Sequence, residues 1–136
     1  MMSITKYLFE HYYSHYKGNR LDIIPTPEQI EQAIENHPEK IIVVGGNKIK
    51  GVGVFLTLTD KTFSFLHNID IQKIDVLQAL CLENGKNFHF VLLAADSYKT
   101  IMIGLRMALK LKPKTISWWN PNFTKLHTYK VNLCHS

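Results

Sequence analysis

Several things are scarce in this 136-residue chain. No run reaches the roughly 18 consecutive apolar residues that a membrane helix needs, so no membrane span is expected. Cysteine is limited to Cys81 and Cys134. Neither sits in a Cys-x-x-Cys pair or at zinc-ligand spacing, which removes a disulfide framework and a structural metal from consideration. Low-complexity tracts are absent and charged residues are only 20% of the chain, which argues against disorder. Arginine is nearly missing: Arg20 and Arg106 are the two arginines among 16 basic residues. The formal net charge of +5 suggests an anionic partner. Lysine is a solvated point charge, however, whereas bidentate recognition of phosphate or guanine favours arginine. The lysines are therefore expected to form a solvated surface, and a nucleic-acid partner is the least favoured of three readings.

Hydrophobic residues make up 46% of the chain, enough for the core of one domain spanning residues 1–136. Met1 leads into a polar, amphipathic stretch rather than a signal peptide. Together with the sparse cysteines, this gives an expectation of a soluble protein in a reducing, cytoplasmic compartment.

Periodicity sets the expected elements. Ile4, Leu8, Tyr12 and Tyr16 share one helical stripe from Ser3 to Lys17, with Gly18 as its C-cap. Thr26, Pro27 and Glu28 start a second helix that stops at His37-Pro38. Lys40–Gly45 reads as a central strand, apolar on both faces. A turn at Gly46-Asn47 leads into an alternating strand, Gly51–Thr59, with Val52, Val54, Leu56 and Leu58 on one face. A tight turn at Asp60-Lys61 and a third strand, Thr62–His67, complete an antiparallel meander. Asp70 is placed to cap a helix over about Ile71–Asn84. A strongly apolar strand follows at Asn87–Ala95. Asp96-Ser97 caps a helix from Tyr98 to Leu111, which Pro113 breaks. Thr115–Trp119 and Leu126–Val131 are the last strands. The order is ααβββαβαββ: an α/β (α+β) mixed sheet with helices on both faces and two right-handed βαβ crossovers.

The segment EKIIVVGGNKIKGVGVFLTLTD (residues 39–60) and the final strands TISWWN and LHTYKV carry a resemblance. In this order they resemble the GNAT fold of the N-acetyltransferases, in a divergent branch met in phage and mobile-element genomes. The resemblance runs from Pro27 to Val131. It implies an N-acyltransferase using acetyl-CoA or another acyl-CoA, with no metal. It also implies a glycine-rich loop whose backbone N–H groups hold the cofactor pyrophosphate at a helix N-terminus. The matching stretch here is FLHNIDIQKIDVLQALC (residues 65–81). Gln72, Lys73 and Ile74 then become the cofactor contacts, yet Asp75 and Leu77 stand where glycines belong. Asp70 and Asp75 further place two carboxylates by the helix start, where they repel a phosphate.

For catalysis the resemblance implies a base near the gap between two splayed strands, which points to His67. It also implies an acidic tyrosine. Tyr98 is the candidate, although it starts its helix where the family's tyrosine sits near the end, with Tyr129 in reserve. Ser97 and Asp96 lie at a strand C-terminus, where open α/β sheets place ligands. The second reading is a non-catalytic GNAT-like module. It would bind a protein partner or a second copy of itself through Trp118, Trp119 and Phe123. His89, between Phe88 and Phe90, reads as a buried strand histidine, and Cys81 as a buried thiol. Gly104, inside a helix, is expected to reflect close helix–sheet packing.

Overall fold

The structure is a computed structural model that describes residues 6–7, 31–32, 35–68, 74–119 and 125–131. Its centre is one mixed sheet of five strands: β1 (Ile41–Val44), β2 (Gly51–Leu58), β3 (Asn87–Ala95), β4 (Thr115–Trp119) and β5 (Leu126–Lys130). They lie in sequence order, antiparallel throughout except for the parallel β3–β4 pair. The helices are α1 (Asp60–Ser64), α2 (Ile74–Cys81) and α3 (Tyr98–Leu109), with 3-10 turns at Pro38–Lys40 and Leu66–Asn68. Residues 6–7, 31–32 and 35–36 are also helical, and the helix ends before His37 as the His37-Pro38 pair predicts.

Every residue of β2 is buried, because helices cover both faces of the sheet. On one face α3 packs Leu105, Ala108 and Leu109 against Ile42, Val44, Phe55, Phe88, Phe90 and Ile116. Phe55 and Phe88 stack there with ring centroids 4.7 Å apart, an arrangement that adds roughly 0.5–1.5 kcal/mol beyond area burial. On the other face α2 brings Val76, Leu80 and Cys81 onto Leu56, Leu58 and Leu66.

Two expectations are corrected. Thr62–His67 is not a strand. Thr59 caps a helix instead, its hydroxyl accepting from the Thr62 amide, with Asp60 favourably placed in the first turn. Glu83 completes the cap from across the chain: its carboxylate accepts from the Thr59 amide at 3.0 Å and from the Thr62 hydroxyl at 2.7 Å. The described order from β1 onward is thus ββααβαββ, with five strands rather than six. It follows that β2 and β3 are antiparallel neighbours, and β3–α3–β4 is the single parallel crossover among the described residues. Moreover, β1 lies at one edge of the described sheet rather than at its centre.

Lys40 ties the two layers together. It is 7% exposed, and its ammonium donates to the carbonyls of Cys81 at 2.6 Å and Glu83 at 2.8 Å, at the end of α2. A cation there complements the helix dipole, while burial pulls its pKa below the usual lysine value.

Candidate ligand site

The site arises where the parallel pair ends. β3 and β4 pair from Asn87↔Thr115 to Phe90↔Trp118. β3 then continues to Ala95, paired with β2 alone among the described residues. The register against β2 shifts at the same point. Val54 faces Leu92 while Phe55 faces Phe90, so Val91 is an extra, bulged residue. Bulges re-aim strands and collect next to active sites.

Beneath the bulge, between the sheet and α3, lies a cavity of about 260 Å³. Ile42, Val44, Phe90, Ile101, Ile116 and Trp118 supply most of its wall, and no ionisable side chain lines it. Two glycines on β2 shape it. A Cβ on Gly53 would stand 2.9 Å from Phe90 Cε1, and one on Gly51 would stand 2.7 Å from Thr100 Cγ2. The bare backbone therefore lets the Phe90 ring and the first turn of α3 approach the sheet. Gly104 differs: a Cβ there would meet Val44 at 3.5 Å, an ordinary contact, so close packing does not require this glycine. Such a space accepts an apolar group and offers it no charged partner.

Polar groups gather at the head of α3. Ser97 caps the helix, its hydroxyl accepting from the Thr100 amide at 3.2 Å. The Thr100 hydroxyl donates to Asp96 at 2.5 Å. That hydrogen bond is the main cause holding the Asp96 carboxyl below the usual carboxylate range. The Asp96 amide and the Tyr7 hydroxyl both donate to the Lys50 carbonyl, at 2.9 and 2.6 Å. Burial first, then the Asp96 charge, pushes the Tyr7 phenol up. The N-terminus of α3 is thus already satisfied by an ionised carboxylate and a hydroxyl.

The predicted site residues fall in different places. Gln72, Lys73 and Phe123 lie outside the described residues, as does Asp70. Ile74 begins α2. Ser97 and Tyr98 stand at the α3 head, near the cavity, with Tyr98 76% exposed. His67 is in the 3-10 turn after α1, not at a strand end. Its ring meets Trp119 edge-on at 5.3 Å. Trp119 ends β4, one residue past the last β3–β4 pair, so His67 lies beside the end of the described pairing. It approaches from the α2 side, however, whereas Tyr98 belongs to α3 on the opposite face. The structure does not bring the two together on one face.

Trp118 and Trp119 do point to opposite faces, and both are half-buried. Trp118 packs into the α3-side core and stacks on His127 at 5.4 Å. Cys81 and His89 are buried as expected. Gly51, Gly53, Phe90 and Trp118 form the cavity together. The sequence signal for it is the Gly-Val-Gly-Val repeat, whose glycines fall on one face of β2. Among the described residues no group of three or more His, Cys, Asp or Glu side chains is placed to hold a metal, and no helix is long and apolar enough to cross a membrane. No protein-family model matches the sequence, and no curated protein matches it either.

Proposed function

We propose that the chain is a divergent GNAT-like protein that seats the acyl-thioester end of an acyl-CoA in the α3-side cavity and transfers the acyl group to an amine. One observation carries this reading: the described β3–β4 pairing stops at Phe90–Trp118, next to a β-bulge in β3 and an apolar cavity beneath it. A thioester needs that arrangement. Its acyl chain wants an apolar wall, and its carbonyl and pantetheine amides want the free backbone groups of a strand that has lost its neighbour. His67 remains the candidate base for the incoming amine and, standing beside Trp119 on the α2 face of the sheet, would act through water around the end of the β3–β4 pairing rather than by direct contact with the cavity. Tyr98 remains the candidate proton donor to the leaving thiolate.

The phosphate end of the cofactor is handled differently from the family pattern. Asp96 presents a carboxylate at the head of α3, where a pyrophosphate would be repelled. Binding is therefore expected to be weak and to depend on the acyl chain. Thermal unfolding in the presence of CoA, acetyl-CoA and a longer acyl-CoA tests this. The expected result is stabilisation that grows with acyl length. No shift with any of them at millimolar concentration would sink the proposal.

Asp96 favours one alternative, a non-catalytic GNAT-like module that binds a protein through Trp118, Trp119 and Phe123. That reading predicts a stable complex or oligomer in light scattering and no response to acyl-CoA.

A further inference from the structure

The lysines are distributed unevenly on this fold. Lys86 precedes β3, Lys114 precedes β4, and Lys130 ends β5. The ladder pairs Asn87 with Thr115 and Thr115 with Lys130. Two further backbone bonds continue it, Lys114 N–H to Lys86 carbonyl at 2.7 Å and Val131 N–H to Lys114 carbonyl at 3.0 Å. These three lysines are consequently neighbours across three adjacent strands, at one end of the sheet. The chain leaving α3 adds Lys110 and Lys112 just before β4, and all five are exposed.

Very little neutralises them. Asp60 pairs with Lys114 at 3.1 Å. Lys86, Lys110, Lys112 and Lys130 have no ion-pair partner among the described residues. The dipole of α3 accounts for cations at positions 110 and 112. It does not account for 86 and 114, which immediately precede β3 and β4, or for 130, which ends β5. The opposite end of the sheet carries Asp96 and the candidate ligand site, so the cluster is separate from it.

We propose that this basic end binds the sugar–phosphate backbone of a single-stranded nucleic acid. Lysine suits such a contact because it is a flexible point charge that meets phosphates without reading base edges. An ordinary protein interface, by contrast, is depleted in lysine. Tyr129, 53% exposed and on the face of β5 opposite to Lys130, adds a ring at the same end of the sheet on which a base can stack. Binding is thus sequence-tolerant and dominated by counterion release.

The test is fluorescence anisotropy of the protein with a labelled oligothymidylate over a range of salt concentrations. Each phosphate contact on a single strand contributes a slope of about −0.7 in log K against log salt. Four free lysines thus predict a slope of about −3. The double variant K86Q/K130Q should make the slope shallower by about 1.4. Lys48→Gln with Lys99→Gln, at the other end, changes net charge equally and should leave the slope unchanged. Tyr129→Ala should weaken binding without altering the slope. All these positions are exposed, so folding is preserved and circular dichroism verifies it. No binding at 50 mM salt, an equal effect from the control pair, or capture by anionic lipid vesicles but not by the oligonucleotide would each overturn the proposal. Preference for duplex over single strand would overturn the single-stranded assignment.

Discussion

His89 Nδ1 and Ser117 Oγ are hydrogen-bonded at 2.9 Å across the parallel β3–β4 pair, and both residues are 0% exposed. The other ring nitrogen, Nε2, has no hydrogen-bond partner among the described residues. Burial lowers the histidine pKa from 6.5 to about 4. The neutral ring is tolerated in this core, whereas the imidazolium is not.

That pair predicts an acid-labile fold. The unfolded chain takes up the proton first, so His89 contributes full stability above pH 6.5 and loses it as pH falls toward about 4. The interval corresponds to roughly 3 kcal/mol. Urea unfolding between pH 7 and pH 4 should show this slope, and His89→Leu should flatten it. An unchanged slope in the variant would assign the acid sensitivity elsewhere.

Gly104→Ala should stabilise the protein. The new methyl meets Val44 at an ordinary 3.5 Å, and a mid-helix glycine costs about 1 kcal/mol against alanine. The melting temperature should rise by about 3–5 °C. A fall would mean that the cavity wall cannot accept the methyl.

Gly53→Val should do the opposite. Its Cβ would stand 2.9 Å from the Phe90 ring, so the cavity wall must shift, at about 1–3 kcal/mol. Stabilisation by acyl-CoA should vanish in this variant while the far-ultraviolet circular dichroism stays native. Retained stabilisation would move the acyl site away from the cavity.

Lys40→Met keeps the apolar stem and removes the ammonium. The Cys81 and Glu83 carbonyls lose their donor, and the loss should cost about 1–3 kcal/mol in chemical denaturation. An unchanged midpoint would show that relief of the buried charge offsets those bonds.

Most of the sheet is legible in the sequence because its strands are apolar, short and bounded by turn residues. Asn87–Ala95 and Thr115–Trp119 begin and end where the pattern puts them, and Ser97 caps α3 as its position suggests. Thr62–His67 misleads because Phe63 and Phe65 alternate with polar neighbours, which mimics a strand. The deciding groups, Thr59 and the remote Glu83, act through hydrogen bonds that periodicity does not record. Apart from the Gly-Val-Gly-Val repeat that marks its floor, the cavity is illegible for a related reason. Val91 becomes a bulge only through its register with β2, and the unpaired length of β3 depends on where its described pairing with β4 stops. The lysine row likewise needs strand order before residues 86, 114 and 130 can be recognised as neighbours.

The central β2–β3 pair also governs how the chain must fold. Its nearest partners, Leu58 and Asn87, are 29 residues apart, and α1 and α2 lie between them. No tight turn can zip this pair from one end. A long loop must close before the ladder returns any enthalpy, and β4 and β5 have no template until it does. Refolding should therefore be slow for a chain of this size, with the β1–β2 hairpin forming early and the α3-side cavity last.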